Sequence, residues 1–118
     1  MKKMPQNIYL DVCALSRPFD EQHYIRIKLE TDAVNMILSK VKEGRFNLLV
    51  SPVHIKEIVA ITDTHERIEL QMILDNVGMH VTADIKKTRK RAVELVMLGF
   101  GIADAAHVAF AETSSAQF

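Results

Sequence analysis

Apolar positions change rhythm several times along this chain, and each change predicts an element. Ile8-Tyr9-Leu10-Asp11-Val12-Cys13 is a short apolar run broken by one acid. It lacks clean alternation, which predicts a strand buried on both faces, as in a parallel sheet. Ser16 to Asp20, with Pro18, reads as a loop. From about Glu21 to Glu43 the spacing turns helical, with Ile27, Thr31, Val34, Ile37, Leu38 and Val41 along one stripe. Gly44 stands where a helix-ending glycine belongs.

Phe46-Asn47-Leu48-Leu49-Val50 predicts a second buried strand. Ser51-Pro52 then starts a helix to about Ile61, serine as N-cap and proline at the first turn. Another helix is expected from Thr64 to Asn76, with Ile68, Met72, Ile73 and Val77 on its apolar side. Gly78 to Thr82 predicts a third strand. Asp84 caps a helix that reaches Leu98 and breaks at Gly99. Gly101 to Glu112 forms a further helix, apolar nearly all round, Ser114-Ser115 a turn, and Ala116 to Phe118 the start of a strand. Strands alternating with helices imply right-handed crossovers and a parallel sheet. The expected class is therefore α/β, a single domain over 1–118 with helices flanking the sheet. In such sheets ligands gather beyond the carboxyl ends of the strands.

Composition narrows the class only a little. The chain has 118 residues, 48% hydrophobic and 25% charged, the profile of one folded domain. One cysteine, Cys13, cannot form an internal disulfide, so a reducing compartment and a cytoplasmic location are expected. Cys13 and the methionines are expected to fill the core. No apolar run is long enough to span a membrane, and the first residues carry no signal-peptide pattern. Net charge is zero, which counts mildly against nucleic acid, although acids gathered in one site would leave the remaining surface basic.

Three acids stand where acids are costly. Asp11 closes the first apolar run; the plainer explanation is an Asp that turns the chain or caps the next element. Glu57 has Val53, Ala60 and Ile61 as helical neighbours and so shares an apolar stripe, while His54 and Lys56 are expected to face solvent. A stem that packs under a wet carboxylate explains Glu57 equally well. Asp104 opens the alanine-rich last helix one turn from His107; an acid there also suits the helix dipole. Three carboxylates in one pocket repel one another, and a divalent cation relieves the repulsion. Hard oxygen donors suit Mg²⁺ or Mn²⁺ better than Zn²⁺. Such an ion activates water and draws charge from a phosphodiester.

These residues also carry a family resemblance. Tyr9 to Asp20 resembles the first motif of PIN domains, Ser51 with Glu57 the second, and Gly101-Ile102-Ala103-Asp104-Ala105-Ala106-His107-Val108-Ala109 the third. The resemblance spans nearly the whole chain in order. It implies a three-layer fold and a Mg²⁺- or Mn²⁺-dependent endoribonuclease. Asp11, Glu57 and Asp104 match the family's first three metal-site acids. Bacterial members are often toxins of the VapC type, which implies an antitoxin partner. The family continues into another strand with a fourth acid, then a helix. This chain ends at Phe118, so the last strand and helix are expected to be missing, leaving an unpaired edge and a tendency to form homodimers.

Around that site Arg17 and His107 are candidate RNA-binding residues: Arg17 a phosphate contact or plain surface, and His107 a group that orients a ligand or water near Asp104 or, at least as readily, a packed, hydrogen-bonded core histidine. Lys86 to Arg91 is a basic run that reads as a solvated helix face before it reads as an RNA contact. A catalytically silent PIN-like module acting through a protein partner is the rival reading. A receiver domain would want an acid at the end of the second strand, where Val50-Ser51-Pro52 has none. A dinucleotide fold would want a glycine-rich first turn, and Asp11 to Ala14 has no glycine.

Overall fold

The computed structural model describes residues 5–81, 84–114 and 116. In chain order the elements are β1 (Gln6–Ile8), α1 (Val12–Ser16), a 3₁₀ turn (Arg17–Phe19), α2 (Ile25–Lys42), β2 (Phe46–Val50), α3 (Pro52–Val59), α4 (Thr64–Val77), β3 (Gly78–His80), α5 (Ile85–Met97) and α6 (Ile102–Thr113). The three strands pair in parallel in the order β1-β2-β3, and helices flank the sheet. The class is α/β, with helix predominating. Among the described residues no helix is long and apolar enough to cross a membrane. The strand expected to begin over 116–118 falls, apart from Ala116, outside the described residues. So do Thr82, expected to end the third strand, and Ser115 of the expected turn.

The first strand is shorter and earlier than its apolar run suggests. It ends at Ile8, and by Val12 the chain is already helical. Asp11 is the reason: its Oδ1 accepts the Ala14 N–H at 2.8 Å and caps α1, which a strand residue would not do. The expected loop after it is ordered as α1 and the 3₁₀ turn, where Pro18 fits because a first-turn proline loses no hydrogen bond.

The longer helices follow their stripes more closely. Thr31, Val34 and Val41 of α2 are buried. Gly44 adopts φ 80°, and its N–H and that of Arg45 bond back to Val41 and Lys40. That is the paired C-terminal closure a left-handed glycine permits. In α4 the buried side is Leu70 and Leu74, whereas Ile68 and Met72 are exposed, a correction to the expected face. Met36, Met79 and Met97 are exposed too, and so is Cys13. None of the described methionines, nor the cysteine, fills the core.

Helix α4 runs into β3 without a loop. A Cβ on Gly78 would stand 2.4 Å from the Leu74 carbonyl oxygen and 2.5 Å from Val50 Cγ2, so only glycine allows helix, β3 and β2 to meet this closely. The main core lies beneath: Leu15, Leu48, Val50, Ile58, Leu70 and Leu74 pack together. Helices α5 and α6 share a second, much smaller cluster of Leu95, Ala105 and Ala109.

Candidate functional site

Past the ends of β1 and β2 the chain places four polar side chains in contact. Tyr9 leaves β1, Ser51 leaves β2 as the N-cap of α3, Glu57 follows on α3, and His107 reaches over from α6. Tyr9 Oη lies 2.8 Å from Ser51 Oγ and 2.6 Å from His107 Nδ1. The other ring nitrogen of His107, Nε2, pairs with Glu57 Oε1. His54 sits behind them: Nε2 is 2.6 Å from the Leu10 carbonyl oxygen, and Nδ1 accepts the Ser51 N–H at 3.0 Å. Here an imidazole takes the part that a glutamate three residues into a helix usually plays in capping. Ser51 and His54 are fully buried, and His107 is 6% exposed.

The electrostatics follow from this crowding. Burial pushes the Tyr9 phenol up to about 12, with Glu57 and Asp11 adding to the rise and the Ser51 hydrogen bond opposing it. Burial also holds the His54 imidazole below its ordinary value, against the pull of the Leu10 carbonyl. Both groups therefore stay neutral across the physiological range.

Each candidate residue has a definite place. Asp11 caps α1, as the plainer explanation holds, with Oδ1 engaged by Ala14. Glu57 is half-buried and held by His107. Asp104 is exposed in the first turn of α6 and makes no hydrogen bond or ion pair among the described residues. His107 is a buried bridge between Tyr9 and Glu57, not a group aimed at Asp104. Arg17 pairs with Asp20 at 3.0 Å and with Glu30 at 2.5 Å, which offsets its charge and raises its pKa. The basic run is exposed over Lys86, Lys87, Arg89 and Lys90, whereas Thr88 is buried and Arg91 pairs with Glu94 and Glu112.

The three acids come from three separate places: Asp11 at the N-cap of α1, Glu57 on α3 and Asp104 in the first turn of α6. The Cys13 thiol is pushed up by desolvation first, then by the negative charges of Asp11, Glu57 and Asp104, with Arg17 opposing. Among the described residues, no three of His, Cys, Asp and Glu stand close enough to hold a metal ion as they are. Beside Asp11 lies a groove of ≈ 350 Å³ between α1 and α6, lined by Leu10, Ala14, Val108 and Ala111, with Tyr9 and His107 within it.

Sequence reasoning missed His54, expected at the surface, and the part played by Tyr9. The signal for His54 was present: it lies three residues before Glu57, on the same helical face, and three after the N-cap serine. A tyrosine in a buried strand also signals a hydroxyl with a partner. That the partner is His107 is a tertiary fact with no local trace. Comparison with protein-family models, with curated proteins and with solved structures returns no match.

Proposed function

We propose that this chain is a PIN-type, divalent-metal-dependent endoribonuclease domain. The observation that supports the reading is the position of Asp11 and Glu57 beyond the carboxyl ends of the parallel strands β1 and β2, with Asp104 in the first turn of α6, the helix whose His107 holds Glu57. The donor set fits Mg²⁺ or Mn²⁺, because all three groups are carboxylates and each keeps an oxygen that no other described residue engages. When bound, such an ion supplies an activated water and draws negative charge from an RNA phosphodiester.

The chain's own residues do the rest. Asp11 is aimed by its cap to Ala14, and Glu57 by His107. Asp104 stands exposed in the first turn of α6. Arg17, balanced by Asp20 and Glu30, steadies phosphate only if it gives up one of them. A cytoplasmic setting, a protein antitoxin as partner and self-association belong to the same reading.

A second reading, a silent PIN-like module acting through a protein partner, is favoured by the spacing of the acids, which do not close around a common point. One assay separates the two. Mixed-sequence single-stranded RNA is incubated with the protein and Mn²⁺, beside an EDTA control and Asp11→Asn. Asparagine keeps the cap of α1, so the variant should fold. The nuclease reading expects cleavage that disappears both with EDTA and with the variant. A folded protein that leaves RNA intact overturns it in favour of the silent module.

A further inference from the structure

The hydrogen bonds behind Glu57 run in one direction when both imidazoles are neutral and Glu57 is ionised, because a carboxylate only accepts and His107 Nε2 then has to donate to it. A carbonyl oxygen carries no hydrogen, so His54 Nε2 holds the proton and donates it to Leu10. His54 Nδ1 is then bare, and it receives the Ser51 N–H. The Ser51 hydroxyl lies 3.2 Å from that nitrogen and 2.8 Å from Tyr9 Oη, and because the Tyr9 proton is directed at His107, the hydroxyl donates to Tyr9. The Tyr9 phenol in turn donates to His107 Nδ1 at 2.6 Å. His107 must then carry its proton on Nε2, where it meets Glu57 Oε1. The three rings pack together, with Tyr9 4.7 Å from His54 and His54 5.1 Å from His107, centroid to centroid.

We propose that Tyr9 and His107 are positioning residues: with Ser51 and His54 they form one directed donor chain, anchored on the β1 side, that locks Glu57 and turns its second oxygen outward as a ligand. The ligand role rests on the nuclease reading; the proton arrangement does not. Ordinary core polar groups satisfy each other in any direction. This chain runs one way and ends on a group whose head is a third exposed. The group that hydrogen-bonds a ligating carboxylate fixes its angle, and losing such a group weakens metal affinity by about 10- to 100-fold.

The test uses the full chain and three variants. Long-range ¹⁵N–¹H spectra of the imidazoles at neutral pH should show His107 protonated on Nε2 and bare on Nδ1. Tyr9→Phe removes the donor to Nδ1 and should move His107 toward a mixture of tautomers. By titration, Mn²⁺ affinity should fall about 10- to 100-fold in Tyr9→Phe and in His107→Leu. His107→Gln, whose amide N–H can reach Glu57, should recover part of it. Thr88→Val, which breaks a buried hydroxyl pair between α5 and α6, serves as the control. It should lower thermal stability while leaving the His107 spectrum and Mn²⁺ affinity alone. A His107 proton on Nδ1, or a Tyr9→Phe protein with unchanged tautomer and affinity, overturns the proposal. If the wild type shows the expected tautomer yet binds no Mn²⁺, the donor chain stands while the ligand role and the nuclease reading fall.

Discussion

The sheet with α1, α3 and α4 and the α5–α6 pair are held together by different means. In the first, large side chains do the work: Leu15, Leu48, Ile58 and Leu70 are each at most 1% exposed. In the second, the buried cluster is one leucine and two alanines, so little apolar area leaves water. Polar contacts supplement it: Thr88 with Thr113 at 2.7 Å, and Arg91 with Glu112 at 2.7 Å. Met97, Leu98 and Ile102, at the bend between the two helices, are exposed. The candidate site straddles the two regions, since Tyr9 and Glu57 belong to the first and His107 and Asp104 to the second. A strongly held platform thus presents two of the acids, and a weakly held pair of helices delivers the third.

Four measurements break or sharpen this contrast. The largest effect is expected for Leu48→Ala, which opens a cavity in a fully buried site and should cost about 4 kcal/mol in urea unfolding. Leu95→Ala should cost nearer about 2 kcal/mol, because its smaller surroundings collapse more readily. Equal costs would erase the distinction between the regions. Gly78→Ala should follow, destabilising the sheet side by about 1–3 kcal/mol, since the new methyl meets the Leu74 carbonyl. A neutral result there would mean that the helix-to-strand junction yields easily.

Third comes pH. His54 has a lowered pKa in the folded chain because it is buried. The unfolded chain takes up that proton near about pH 6.5, the folded chain only below it. The His54 contribution is therefore whole above about pH 6.5 and shrinks as pH falls to the folded value, by at most about 1.4 kcal/mol per pH unit. A chemical-denaturation series from neutral to mildly acid pH reads this directly; replacing His54 with Gln should flatten the slope. The smallest effect is expected for Arg91→Ala. Its ion pairs are at the surface, and thermal unfolding should change by less than about 1 kcal/mol. A larger loss would show that charge, more than Leu95 and its alanines, joins α5 to α6.

Most of the helix order was legible in the chain. Ser51-Pro52, Asp84, Gly44 and Gly99 mark helix ends by their own backbone and capping chemistry, which is local. The failures share a different cause. Asp11 and the apolar residues around it look like a strand until the capping bond to Ala14 is counted. Ile68 and Met72 fit a helical stripe as well as Leu70 does, and only the position of β2 and β3 decides which side is inside. Of the candidate site, the three acids stood out because carboxylates beside apolar stripes are costly, and for Asp11 the cap of α1 accounts for the acid. The Tyr9–His107 link was not, because nothing near either residue predicts the other.

The distance along the chain between those two has its own meaning. Tyr9 and His107 are separated by 98 positions, so one is made long before the other. During synthesis the strands and α3 emerge and can pair while α6 is still inside the ribosome. Glu57 then has no imidazole to hold it, and Asp104 is not yet present. The cluster around Tyr9 is completed only when α6 arrives, so a nascent chain carries the platform before it carries His107. Timing is thereby written into topology: until α6 has emerged, Glu57 stands without the ring that holds it.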